Sequence, residues 1–278
     1  MHISIREKDL YAELKGIGYD SLDVKFPLWN ARDFILSDEI DRVFSEKYEK
    51  IREANFTVCQ THLTYYPSHL PPLGDGSYEA FLTYMLPIFE KEIRMTAKMN
   101  CPITVIHLYF EETRDESRKK NLDLLARLLT VAKEAGVTLA IENLYGKECS
   151  DIYLTTAEDL LYYTEHFSDD HIGVCLDTGH AIARGQDPIE MLKALGRRVK
   201  ALHVHSNMKG YDLHLPPCFT KALDFKAFAD TLTEIGYEGT FNMEIAPPAQ
   251  LNAKATMSAL SIFTQRIFTM QSQETGCI

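Results

Sequence analysis

The sequence predicts a closed (β/α)8 barrel, built as a single domain over residues 1–278, and three observations predict it. Short β-rich runs alternate with longer segments of helical period from the first residues almost to the last. The runs number eight. Acidic and imidazole side chains gather at the trailing ends of those runs, the rim where (β/α)8 barrels carry their chemistry.

The strand-like runs are His2–Ile5, Ser21–Lys25, Asn55–Thr61, Pro102–Leu108, Thr138–Asn143, Ile172–Thr178, Val199–Ser206 and Gly239–Ile245. Helical patterns lie between them. Leu124, Leu125, Leu128, Leu129 and Ala132 recur at helical spacing, and Lys133-Glu134-Ala135-Gly136 supplies a glycine stop. Thr156 ahead of Ala157-Glu158-Asp159 reads as an N-cap with acids in the first turn, and Asp224 does the same ahead of Phe225–Ile235. Helix, glycine and strand follow one another again at Gly16–Gly18 and Gly236–Gly239. Strict alternation implies parallel strands joined by right-handed crossovers. An open doubly wound sheet is the rival, but no glycine-rich phosphate turn follows the first strand. The longest irregular stretch, Pro67 to Gly76, follows the third strand and reads as a loop at the barrel mouth.

Composition narrows the function classes. With 45% hydrophobic and 25% charged residues the chain is an ordinary globular protein with ample core material. A formal charge of −11 argues against broad binding to a polyanion, so no nucleic-acid partner is expected. The six cysteines are scattered without a C-x-x-C pair, and three lie in or directly beside apolar strand-like runs (Cys59, Cys101 and Cys175), where a reduced thiol acts as a small hydrophobe. The opening Met1-His2-Ile3-Ser4-Ile5-Arg6-Glu7 is too polar for a secretory signal, and no run of about 18 apolar residues could span a membrane. The expectation is a reduced, cytoplasmic protein.

The trailing ends carry the chemistry. The third strand gives His62, the fourth His107, the fifth Glu142, and the sixth Asp177 with His180. The seventh gives His203 and His205, its loop Asp212 and His214, and the eighth Glu244. Six of the ten histidines thus fall on one ring. A single histidine at a strand end is often only hydrogen-bonded, but unpaired carboxylates ending three apolar strands are costly to bury. Glu142, Asp177 and Glu244 need a shared partner, and a divalent cation supplies one. Mixed imidazole and carboxylate donors suit Zn, Mn, Co or Fe(II) rather than calcium. Asp212-Leu213-His214 puts two donors on one side of an extended segment. His203 and His205 share a face, so either could be the ligand while the other supports it or faces substrate.

Ile141-Glu142-Asn143, Leu176-Asp177-Thr178-Gly179-His180, Leu202-His203-Val204-His205 and Asp212-Leu213-His214-Leu215-Pro216-Pro217, followed by Glu244, resemble the xylose isomerase-like TIM barrel superfamily. The resemblance runs over essentially the whole chain. That group contains sugar and sugar-phosphate isomerases and epimerases, together with endonuclease IV-type enzymes. For the epimerases it implies one divalent ion held by Glu142, Asp177, His205 and Glu244, with the two glutamates facing each other across substrate as an acid/base pair. For the endonuclease branch it implies three zinc ions on nine ligands, matched by His62, His107, Glu142, Asp177, His180, His205, Asp212, His214 and Glu244.

The expected function is a divalent-metal-dependent (Zn, Mn or Co) isomerase or epimerase of a sugar or sugar phosphate, without organic cofactor. Glu142 and Glu244 would move a proton next to a carbonyl through an enediolate, and His180, His62, His107 and His203 would face substrate. Arg184 and Lys209 are candidate anchors for a phosphate. The alternative is a multi-zinc phosphodiesterase acting on abasic DNA or a small phosphodiester, and a non-catalytic sugar-binding barrel ranks last. The apolar C-terminal helix Ala253–Met270 either closes the barrel or joins copies in a homo-oligomer.

Overall fold

The computed structural model describes residues 3–6, 11–66, 73–145, 154–216, 220–245 and 253–274. Its strands are β1 (Ile3–Arg6), β2 (Ser21–Lys25), β3 (Thr57–His62), β4 (Ile103–Ile106), β5 (Thr138–Glu142), β6 (Ile172–Asp177), β7 (Val199–His203) and β8 (Phe241–Met243). They form one sheet in the order β7-β6-β5-β4-β3-β2-β1-β8, and every pair is parallel. Just beyond β7 the Val204 N–H donates to the Asn242 carbonyl of β8 at 2.8 Å, which joins the two ends of the order into a ring. The expected (β/α)8 barrel is thereby found.

The helices are α1 (Tyr11–Gly16), α2 (Arg32–Leu36), α3 (Asp38–Glu53), α4 (Tyr78–Lys98), α5 (Arg114–Ala135), α6 (Ala157–Phe167), α7 (Thr178–Arg184), α8 (Pro188–Leu195), α9 (Phe225–Glu234) and α10 (Ala253–Glu274). None is long and apolar enough to cross a membrane. Their ends follow local chemistry. Thr156 and Asp159 form a reciprocal capping box on α6, Asp224 accepts from the Ala227 N–H to start α9, and Gly136 ends α5 at φ 68°. Asn55, read as the first residue of a strand, is left-handed at φ 60°, so β3 begins two residues later. Of the expected mouth loop at Pro67–Gly76, residues 67–72 lie outside the described residues.

Two apolar layers support the mouth. The larger lies between the sheet and the helices that cover it, where Leu124, Leu125 and Leu128 of α5 meet Leu139 and Ile141 of β5. The smaller is a plug of Val105, Ala140, Cys175 and Ala201. Side chains two apart on a strand share a face. The residues one pleat above that plug are therefore His107, Glu142, Asp177 and His203.

Candidate metal centre

Glu142 sits at the centre of the mouth, buried at the end of β5. Its Oε1 lies 3.0 Å from His203 Nδ1, and its Oε2 lies 3.1 Å from His62 Nε2 and 2.9 Å from His107 Nε2. Glu244, just past β8, brings Oε2 to 3.1 Å from the same His203 Nδ1, and Asp177 Oδ2 lies 3.8 Å from it. Two groups of potential metal donors thus share Glu142: Glu142, Asp177, His203 and Glu244 form one, His62, His107 and Glu142 the other.

A third group stands beside them, formed by His180, His205, Asp212 and His214. Asp177 caps α7 by accepting the His180 N–H at 2.6 Å through Oδ1, while its Oδ2 lies 3.0 Å from His205 Nε2. His180 Nε2 and His214 Nε2 each lie 3.4 Å from an oxygen of Asp212. The His205 and His214 rings stack with centroids 4.3 Å apart. Gly179 lies so close beneath His205 that a Cβ there would come within 2.0 Å of its Cε1, so a glycine is required at this step of the D-T-G-H run.

The protons available to these residues leave places that a cation would fill. Burial first, and the Lys25 charge second, pull the His62 pKa down to about 4. A neutral imidazole has one N–H to donate. His62 nevertheless faces two acceptors, the Leu63 carbonyl at 2.8 Å from Nδ1 and the Glu142 carboxylate at 3.1 Å from Nε2. If Nδ1 carries the proton, a nitrogen lone pair points at a carboxylate, and a cation between them removes the conflict. Among the described residues His205 Nδ1 is likewise buried with no hydrogen-bond partner. On His180, burial opposes charge, but Asp177, Asp212 and Glu142 outweigh it and raise the pKa to about 10. Burial also opposes ionisation of Glu142, yet His203 and His107 hold its carboxyl well below the usual range. Protons on imidazoles thus balance the acids where a metal would otherwise do so, and the donor set fits Zn, Mn or Co.

Each metal-ligand and acid/base candidate read from the sequence comes to this cup, with one change of place, whereas the candidate phosphate anchors lie at the far end of α7, where Arg184 is its last residue and the Lys209 stem passes Gly185. The motif set put His205 with Glu142, Asp177 and Glu244; the structure puts His203 there and His205 in the third group. The reason is the pleat, because His203 stands directly above plug residue Ala201 while His205 lies past the end of β7. Asp212 and His214 also meet by another route than an extended segment. His214 is left-handed at φ 47°, and Ser206 pairs antiparallel with Leu215, so the loop folds back over the mouth.

Two residues in the cup were not given roles from sequence. Lys25, at the end of β2, donates to Glu244 Oε1 at 2.7 Å. Its signal was the alternation Asp23, Lys25 against Leu22, Val24, which turns two charged residues to one face of a central strand. Asn143 donates through Nδ2 to the Asp177 carbonyl and accepts the Asp177 N–H through Oδ1, both at 2.8 Å.

A family model described as xylose isomerase-like TIM barrel matches residues 11–261. The chain belongs to the xylose isomerase-like TIM barrel family. Within this family's fold, a D-tagatose 3-epimerase-like protein superposes with TM-score 0.77 at 17% identity, over 99% of this chain and 100% of that one. An IOLI protein with a bound zinc atom superposes with TM-score 0.72 at 17% identity, over 96% and 98%. By sequence, inosose isomerase of Bacillus subtilis (strain 168) is 24% identical over 142 residues, 49% of each chain. This barrel spans about half the length of the curated relatives it matches, from 42% to 53%.

Proposed function

We propose that this barrel is a divalent-metal-dependent isomerase or epimerase of a small sugar or polyol ketone, free or phosphorylated. One observation carries the reading: Glu142 and Glu244, from strands far apart in the ring, approach the same His203 Nδ1 at 3.0 and 3.1 Å. Two carboxylates converging on one point suit removal of a proton beside a carbonyl and its return at another face or carbon. The tagatose epimerase-like and inosose isomerase relatives support this class.

Glu142, Asp177, His203 and Glu244 would hold the ion. When bound, a divalent ion there supplies Lewis-acid polarisation of a substrate carbonyl. The chain's own residues do the remaining work. Glu142 and Glu244 abstract and return the proton; the His62 Nε2 lone pair and the ring N–H groups of His107 and His180 orient substrate hydroxyls. Lys25 holds Glu244 by one oxygen and leaves the other toward the cup. Three free described cysteines suit the cytoplasmic setting assumed here.

A panel of ketoses in D2O with Mn, Co or Zn tests this. Deuterium should enter the carbon next to the carbonyl, and Glu142→Gln or Glu244→Gln should lower the rate by about 100-fold or more, as loss of a general acid/base does. Near-normal rates in both variants would remove the acid/base assignment. The shared Glu142 and the third donor group favour a second reading, a multi-zinc phosphodiesterase. Two or three ions per chain with turnover of a small phosphodiester and none of ketoses would establish it instead.

A further inference from the structure

Glu92 of α4 is fully buried, and among the described residues no charged group pairs with it. Its Oε2 accepts the Thr64 N–H at 2.8 Å, and its Oε1 lies 2.6 Å from Thr64 Oγ1. That same hydroxyl lies 2.6 Å from the Pro27 carbonyl oxygen. A hydroxyl has one proton, and a carbonyl can only accept. The Thr64 proton therefore goes to Pro27, and the short contact with Glu92 requires a proton on the carboxyl. Donation runs Glu92 to Thr64 to Pro27. Burial without a compensating cation raises the Glu92 pKa to about 8, against the pull of the Thr64 N–H, in agreement with a neutral acid. Hydroxyls continue the network: Thr96 on the same helix donates to the Glu92 carbonyl, and Thr61 of β3 bonds to Thr96 and to Thr104 of β4.

The Thr64 N–H and the Leu63 C=O belong to one planar peptide unit. Glu92 clamps its N–H end. At its other end the Leu63 oxygen accepts from His62 Nδ1 at 2.8 Å, which selects the tautomer that presents Nε2 to Glu142. The hydroxyl branch ties the exit of β2, where Lys25 stands two residues before Pro27, to the exit of β3. We propose that Glu92 is a positioning residue of the metal cup, acting through the Leu63–Thr64 peptide on the His62 imidazole and through the Thr64 hydroxyl on the β2 exit. It touches neither metal nor substrate, and nothing in the assignment depends on which sugar is bound.

Glu92→Gln reproduces the neutral acid: its amide N–H donates to Thr64 Oγ1 and its oxygen accepts the Thr64 N–H. Glu92→Leu fills the space and offers neither. In metal-free protein the Thr64 amide should exchange with solvent at the wild-type rate in the Gln variant and at least about tenfold faster in the Leu variant, as expected when its partner is lost. In a Co2+ titration followed by visible absorption, Gln should bind as wild type does. Leu should bind roughly 10–100-fold more weakly, the usual effect of losing a group that orients a ligand. A folded Leu variant with wild-type affinity, or a Gln variant as weak as Leu, overturns the proposal. Should the Leu variant not fold, Thr64→Val removes the hydroxyl branch alone, and unchanged Co2+ affinity there overturns it equally.

A pH series adds a reading that mere packing would not move. A carboxyl whose folded pKa lies above its ordinary value gives stability that is whole below about 4 and lost as pH rises through the folded value. The Tm of metal-free wild type minus that of Glu92→Gln should therefore fall from about pH 4 to about pH 8 and then level. A flat difference rules out the neutral acid. If wild type takes up no Co2+, the metal reading of the function falls, while amide exchange and the pH series still decide on Glu92.

Discussion

A carboxylate at the floor of the mouth has two oxygens to satisfy, and Glu244 divides them between Lys25 at 2.7 Å and His203 at 3.1 Å. The pair is charge-assisted and mostly shielded from solvent, the setting in which such bonds are strong. Lys25→Met keeps the aliphatic stem and removes the ammonium. Glu244 then loses one of its fixed points, and a hydrogen bond to a charged group contributes about 1.5–3 kcal/mol. We expect the rate of deuterium entry into a turned-over ketose to fall by roughly 10–100-fold, since about 1.4 kcal/mol is tenfold. Because the Lys25 side chain is 29% exposed, its loss should shift Tm little. An unchanged rate in a folded Lys25→Met variant would show that Glu244 needs no such partner. Lysine at a strand end usually reads as a solvated edge, so only the shared face of Asp23 and Lys25 distinguished it in the sequence.

At the scale of elements, β5 and β6 stay in register past the last ladder bond because Asn143 bridges them. Its amide makes two 2.8 Å bonds to the backbone of Asp177, the residue that ends β6 and caps α7. Replacing it with Leu leaves a buried N–H and a buried carbonyl without partners, each worth about 1–3 kcal/mol. Asn143→Leu should therefore unfold at lower denaturant and lose metal, while a surface change such as Lys226→Ala on α9 should do neither. Wild-type stability in Asn143→Leu would remove Asn143 from the frame of the cup. This element scale is also where the sequence was most legible. Strand alternation, caps at Thr156 and Asp224 and the stop at Gly136 each follow from local chemistry, so the barrel could be read without a partner chain. The ligand ring was legible because parallel barrel strands deliver their ends to one rim. Which of His203 and His205 stands between Glu142 and Glu244 was not, because it depends on where β7 stops. That stop is set by Val204 turning to bond β8, a contact between residues 38 apart in sequence.

Across the whole molecule, a chain of net charge −11 concentrates buried imidazoles and carboxylates in one cup. Without metal, the acids there raise the pKa of His180 to about 10 and that of His214 above its ordinary value, although burial opposes charge on both. Metal ligation needs neutral imidazole, so an incoming ion must displace those protons. Below its folded value of about 10 His180 is protonated and competes with the ion; each rise in pH toward that value weakens the competition, so apparent affinity rises. Zinc titration by calorimetry in buffers of different ionisation enthalpy should show proton release on binding, with affinity increasing from pH 6 to 8. At free metal about 100-fold above Kd, loading should add about 2.7 kcal/mol of stability, a rise of a few degrees in Tm, reversed by chelator. Affinity that does not change with pH, with no proton released, would place the bound ion somewhere other than among these histidines.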